Sequence, residues 1–201
     1  MRSSDIDLLE TFRSCLDIKN KIGQSHNDGY AIKPSYRIQF SNVQLYNWLI
    51  RIGVTPVKTY TLGEIKIPNI YFRDFLRGHL DGDGSIFSYI DHYNIYKGVT
   101  YTNRRVYTKF ISASENHIRW LYNKINQLAD LKGALLCKNS PRPNRVPMWE
   151  IKFAKKESLK LLQWLYYQPN LPCLKRKNLL AKRLINFITS QKRRPYTRII
   201  N

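Results

Sequence analysis

"FLRGHLDGDGSI", residues 75–86, carries three glycines and two aspartates in a chain where acids are scarce. Apolar residues at Phe72, Phe75, Leu76 and Leu80 mark one face of a helix spanning about 69–83. Gly78 and Gly82 are four apart, so they share another face, where a second backbone can approach closely. Gly84 is a natural stop residue, so the helix is expected to end near Asp83. A carboxylate at a helix C-terminus opposes the macrodipole. Beside a second such end it calls for a cation, and hard oxygen ligands select Mg²⁺ or a similar ion. A plain glycine-rich turn with capping aspartates competes with this reading. An EF-hand loop fits poorly, because IFSYID lacks the later ligand pattern.

The rest of the composition says what such a site faces. Lys and Arg number 34 against 14 acids in 201 residues, a net charge of +20 with a sequence pI near 10.0. That surplus favours a polyanion, with nucleic acid ahead of an anionic membrane and of a merely soluble basic domain. At 43% hydrophobic residues the chain can build a core. Cys15, Cys137 and Cys173 are odd in number and far apart, against a disulfide framework or a Cys-based zinc site. The expected setting is an intracellular, reducing compartment; there is no stretch of membrane-span length and no secretion signal at the N-terminus. The basic tail QKRRPYTR reads as a phosphate-binding arm or a solvated end.

Downstream of Asp83, "GSIFSYIDHYNIY" and "RRVYTKFISA" read as two long strands joined by a polar loop. An internal repeat follows. "YRIQFSNVQLYNWL" from Tyr36 matches "WEIKFAKKESLKLLQWL" from Trp149: a period-2 strand, then an amphipathic helix ending Trp-Leu. Upstream of each lies a Ser-rich helix start, with Asp5 or Ser114 as N-cap, and downstream a short basic loop, around Lys58 or Lys177. Two copies of helix, strand, strand, helix, basic loop therefore stand about 110–119 residues apart. The second copy has a helix and two strands before it, giving an α+β, αββαββα unit over 69–201 that closes with a helix at "NLLAKRLINFITS". Residues 1–68 form an incomplete first copy that lacks its opening helix and first two strands. On this reading about 40 residues precede Met1 in the complete protein.

"FLRGHLDGDGSI", followed by strands, resembles the signature of LAGLIDADG homing endonucleases, and the αββαββα unit agrees with that family's fold. Arg77 and His79 occupy variable motif positions, and a first motif is absent. The resemblance implies a site-specific, double-strand DNA endonuclease, encoded within an intron or intein, that hydrolyses phosphodiesters with Mg²⁺ or another divalent cation such as Mn²⁺. Two motif helices pack at the centre through Leu76, Gly78 and Gly82. Asp83 binds metal, with the Gly82 carbonyl as a further ligand, while Asp81 shapes the helix end. Lys177, by its Leu-x-Arg-Lys context, and Lys58 in the first copy are the basic residues expected near the scissile phosphate, with an ordinary phosphate contact as the alternative. A curved antiparallel sheet lies along the DNA.

Strand alternation puts Val106, Thr108 and Phe110 on one face and Arg105, Tyr107 and Lys109 on the other. Trp149, Ile151 and Phe153 likewise oppose Glu150 and Lys152. The candidate DNA contacts are Arg104, Arg105, Tyr107, Lys109, Lys138, Lys152 and, in the Pro-rich loop, Arg142 and Arg145. His79 and Asp83 have i, i+4 ligand spacing, against the alternative of an interface histidine. One central carboxylate is insufficient to cut two strands, so the site requires a second half: an upstream segment or a second copy of this chain. The rival function is a nucleic-acid binder that does not cleave, such as an RNA-splicing maturase acting on intron RNA, or an inactivated relic. A transcription regulator would want an added helix-turn-helix, for which the sequence after 190 leaves no room.

Overall fold

The computed structural model describes residues 1–25, 34–96, 99–139 and 146–191, with backbone only at 93–96, 99–101 and 188–191. The elements are β1 (Arg2–Ser3), α1 (Ile6–Cys15), β2 (Ile22–Ser25), β3 (Ser35–Ile38), α2 (Val43–Arg51), α3 (Asn69–Gly82), β4 (Ser85–Tyr96), β5 (Val99–Ser112), α4 (Glu115–Ala129), β6 (Ala134–Lys138), β7 (Met148–Phe153), α5 (Lys155–Leu165) and α6 (Lys175–Gln191). The strands form two antiparallel sheets, in orders β1-β3-β2 and β4-β5-β7-β6. Residues 99–103, expected in a polar loop, extend β5 instead, and the β4–β5 ladder shifts register between Asp91 and Asn94. Such a bulge bends a strand and increases its twist.

The repeat is visible in the strand register. In the larger sheet Ser112 pairs with Trp149, Ile111 with Glu150 and Phe110 with Ile151. In the smaller one Ser3 pairs with Tyr36 and Arg2 with Arg37, while the Met1 amine and carbonyl bond the Ile38 backbone. Met1–Ser3 therefore occupies the place of Phe110–Ser112, the last residues of β5. The third strand agrees: Gly23 faces Arg37 as Leu136 faces Glu150.

One core serves the second unit. The inner face of β5 (Val106, Phe110), Ile151 and Phe153 of β7, and Phe72, Leu76 and Leu80 of α3 are all nearly or fully buried. Ile118, Leu121 and Ile125 of α4 and Leu161, Leu162 and Leu165 of α5 complete it. Leu76 was expected at an interface between helices; it lies inside this core, 0% exposed, because it shares the apolar stripe with Phe72 and Leu80. The connection between the copies is part of the same core. Ile65 is 2% exposed within it, Ser114 Oγ donates to the Leu62 carbonyl, and the His117 ring nitrogen Nδ1 lies 2.9 Å from the Gly63 carbonyl. A division at residue 68 thus falls three residues beyond a buried core side chain.

One salt bridge and one backbone hydrogen bond seat the first copy on the second. Arg176 holds Asp5 with two bonds, of 3.0 and 2.8 Å, and the Lys175 backbone N–H at the start of α6 donates to Asp7 at 2.9 Å. Asp5 was expected to cap α1. It holds the N-cap position without a side-chain cap bond. Ser114 does cap α4, accepting from the His117 N–H at 3.5 Å.

His79 stacks on His117, with ring centroids 5.4 Å apart and planes at 14°, edge-on to Phe75 and Phe110. Burial, aided by the His117 charge, lowers its pKa to about 4, and its Nδ1 is buried without a partner. A histidine depressed in the folded state contributes stability above its unfolded pKa of about 6.5 and loses it as pH falls toward the folded value. Relative to wild type, His79→Phe should therefore gain stability as pH falls from about 6.5 to 4, by up to about 3 kcal/mol. Urea melts of both proteins at pH 7, 5.5 and 4.5 check this; a constant difference would contradict it.

Candidate nuclease site and DNA face

Helix α3 ends at Gly82, with Asp83 as its C-cap, and the Asp83 and Gly84 N–H groups both bond the His79 carbonyl. Gly84 is required for space rather than for a left-handed turn. A Cβ there would come within 2.7–2.9 Å of Leu80 atoms, and its φ is not in the positive range. Strand β4 starts at Ser85, which leaves no room for a calcium loop. The Asp83 carboxylate is exposed and has no hydrogen-bond partner among the described residues. Gly78 and Gly82 are exposed too, and a Cβ on either would meet nothing within 4 Å. The small-residue face of α3 is open.

The other side of the helix end is tightly held. Lys177 is 6% exposed, and its ammonium donates to the carbonyls of Leu80 (2.5 Å), Asp81 (2.9 Å) and Gly84 (2.7 Å). All three of its protons are used on orphaned carbonyls at a helix terminus. Lys177 was expected near the scissile phosphate. The structure places it beneath the α3 terminus as a cap, because the start of α6 brings it under that terminus. Its three bonds bypass the Gly82 carbonyl. Asp81 is 3% exposed and accepts from the Leu174 N–H at 2.8 Å and from the Tyr166 hydroxyl at 3.3 Å. Burial raises its pKa to about 6 against those bonds and the Lys177 charge. Arg77, 4% exposed, donates to the carbonyls of Pro172 (2.9 Å) and Leu165 (3.2 Å) and to Asp74 (2.7 Å). The sequence reading gave Arg77 no role. Its distant partners lie 88 and 95 residues away in the chain, where local spacing carries no signal.

A depression of about 490 Å³ separates α1 from this helix; Leu8 and Phe12 line one side, Gly78 and Asp81 the other. Lys58 is exposed in the turn following α2, and no described hydrogen bond or ion pair joins it to Asp83. His79 is stacked on His117 and lies edge-on to Phe110 of the core. Among the described residues no group of three or more His, Cys, Asp or Glu side chains is placed to hold a metal. Asp83 and the Gly82 carbonyl are hard oxygen donors that suit Mg²⁺, but they supply only part of its coordination.

The outer face of the larger sheet carries the expected cations and a stripe of aromatic rings. Phe87 and Tyr107 lie 5.2 Å apart and Tyr89 6.2 Å from Tyr107. Lys152 Nζ lies 4.0 Å from the Tyr107 ring centroid and Lys109 Nζ 5.0 Å from that of Phe87. Arg105 pairs with Asp91 at 2.8 Å, and Lys109 and Lys138 pair with Glu150. Arg104 was expected among the DNA contacts. It has the parity of Val106 and Thr108, so it points to the inner face, 4.5 Å over the Phe187 ring of α6. Arg142 and Arg145 lie outside the described residues. No described helix is long and apolar enough to cross a membrane.

No protein-family model and no curated protein matches the chain. Solved structures do match its shape. The I-LtrWI LAGLIDADG homing endonuclease bound to target DNA superposes with a TM-score of 0.53 at 15% identity, over 95% of this chain and 78% of that one. The I-SmaMI LAGLIDADG homing endonuclease bound to cleaved DNA gives 0.56 at 12% identity, over 96% and 78%. I-SmaMI bound to uncleavable DNA gives 0.56 at 11%, over 96% and 79%. The chain has the LAGLIDADG homing-endonuclease fold.

The two lysines separate cleanly in a stability test. Lys177→Met strands three carbonyls and should cost about 2–4 kcal/mol. Lys58→Met should stay within about 0.5 kcal/mol of wild type. Denaturant melts at pH 7 decide; equal midpoints for the two variants would refute the capping role.

Proposed function

We propose that the chain is the larger part of a LAGLIDADG-type homing endonuclease, a site-specific DNA nuclease that uses a divalent cation at Asp83. The observation that carries this is the exposed Asp83 carboxylate on the open face of α3, without a hydrogen-bond partner among the described residues, in a chain whose large sheet presents cations and aromatic rings. Its fold neighbours include proteins bound to target or cleaved DNA. Asp83 and the Gly82 carbonyl would hold Mg²⁺ or Mn²⁺ together with a scissile phosphate. When bound, the metal supplies Lewis-acid stabilisation and a water of lowered pKa. The chain's own work is positional. Lys177 fixes the helix end, Asp81 and Arg77 anchor it to the 165–174 segment, and the sheet cations that Glu150 does not hold, Lys152 and Arg105, bind phosphates and base edges. Lys58 remains the candidate phosphate contact of the first copy.

A second half is required, and residues 1–68 are read as an incomplete repeat of 69–201. In the second copy Leu161, Leu162 and Leu165 are 0% exposed, with α5 packed on α3 and β5. By the Trp-Leu match their counterparts are Leu45, Tyr46 and Leu49, which line an open depression of about 340 Å³, with Tyr46 53% exposed. What they lack is a counterpart of α3 and β5. A helix–strand–strand segment entering at Met1 supplies both, together with a second motif carboxylate, and a second copy of this chain would duplicate the half already present. The single carboxylate also favours a second reading for the chain by itself: a nucleic-acid binder, of duplex DNA or intron RNA, that does not cut.

The test uses duplexes selected for binding from a randomised library. The chain alone should bind them without cutting both strands. A fusion of a further copy of residues 69–109 ahead of Met1, completing the register of β1, should cleave them in Mg²⁺. Asp83→Asn in that fusion should abolish cleavage and change duplex affinity less than about threefold. Cleavage that survives Asp83→Asn would sink the mechanism, and tight binding without cleavage by the fusion would move the non-cutting reading to the front.

A further inference from the structure

Two of the expected DNA contacts are already occupied. Glu150 lies on the outer face of β7, paired across the sheet with Ile111 of β5 and Leu136 of β6, and is 4% exposed. Its Oε2 accepts from Lys138 Nζ at 3.0 Å and from Lys109 Nζ at 3.3 Å. Its Oε1 is buried and has no hydrogen-bond partner. Burial pushes the Glu150 carboxyl up, but the two ammonium groups more than offset it and hold the group below its ordinary pKa. The carboxylate is therefore ionised and buried beneath its two ammonium partners. The first copy has no such device, since the matching row there is Gly23, Arg37 and Arg2.

A carboxylate on the DNA-facing side of a basic protein repels phosphates. The two lysines it holds are the ones that would otherwise bind any duplex through its phosphates. We propose that Glu150 is a specificity-determining residue of the second half. It withholds Lys109 and Lys138 from phosphates of arbitrary sequence. The inference rests on the DNA-binding reading above and deepens it.

The experiment measures affinity for a random-sequence duplex against salt concentration, for wild type, Glu150→Gln, Lys138→Gln and the double variant. Each ammonium engaged with a phosphate adds about 0.9 to the slope of log K against log salt. Glu150→Gln keeps the shape and removes the charge, so its slope should steepen by about 1–2 and its affinity rise at low salt. Lys138→Gln, at a side chain 56% exposed, should leave the wild-type slope unchanged but take about 0.9 from the Glu150→Gln slope. The ratio of affinity for a duplex selected from a randomised library to affinity for the random-sequence duplex should be higher for wild type than for Glu150→Gln. Equal slopes for wild type and Glu150→Gln, or a drop for Lys138→Gln in the wild-type background, would overturn the inference while leaving DNA binding intact. Absence of any salt-dependent duplex binding by wild type would instead overturn the DNA reading and this inference with it.

Discussion

The ammonium of Lys177 beneath the C-terminus of α3 is the contact on which the arrangement of the site depends. A helix terminus leaves carbonyls without partners and carries partial negative charge. Here that terminus also carries Asp81 and Asp83, which makes it worse. A buried cation donating to the carbonyls of Leu80, Asp81 and Gly84 answers both problems at once. The cost of burying the ammonium is offset because all three protons have acceptors and a carboxylate lies nearby. With Asp81 turned inward to the Leu174 N–H and Arg77 fastened to the Pro172 and Leu165 carbonyls, the inner side of the helix end has no freedom left. Asp83 is what remains on the outside.

Helix α3 consequently has two opposed characters. Phe72, Leu76 and Leu80 form one stripe that belongs to the core of the second unit. Gly78 and Gly82 form the other, with open space above them. A Cβ at Gly84 would strike Leu80, so glycine there keeps the first strand tight against the helix end and fixes where Asp83 stands relative to the sheet. The same helix thus joins the core, the open face and the start of β4.

Most of this architecture was legible because it rests on periodicity. The stripe of α3, the alternation of β5 and β7, and the repeat of strand and Trp-Leu helix are all local patterns. The readings that failed were those that needed partners distant in the chain. Lys177 was read as a phosphate ligand from its Leu-x-Arg-Lys context, and nothing local shows that its target is a helix end nearly a hundred residues earlier. Arg104 was grouped with its neighbour Arg105, although alternation alone puts it on the inner face over Phe187. Leu76 shows how one helix can be assigned the wrong stripe when a motif is read as an interface throughout. Glu150 was placed on the correct face by alternation, but its two lysines come from separate strands, so only the sheet order reveals the ion-pair cluster.

The repeat also makes the two lysine positions comparable. In the second copy the basic loop delivers Lys177 to a helix end that needs a cation. In the first copy the matching loop delivers Lys58 to a turn where it is exposed. The same contrast holds for the helix before each loop: Leu161, Leu162 and Leu165 are sealed, whereas Tyr46 stands 53% exposed beside Leu45 and Leu49 in an open depression. Both contrasts have one physical cause: α5 and Lys177 pack against α3 in the second unit, whereas among the described residues no other helix packs closely on α2.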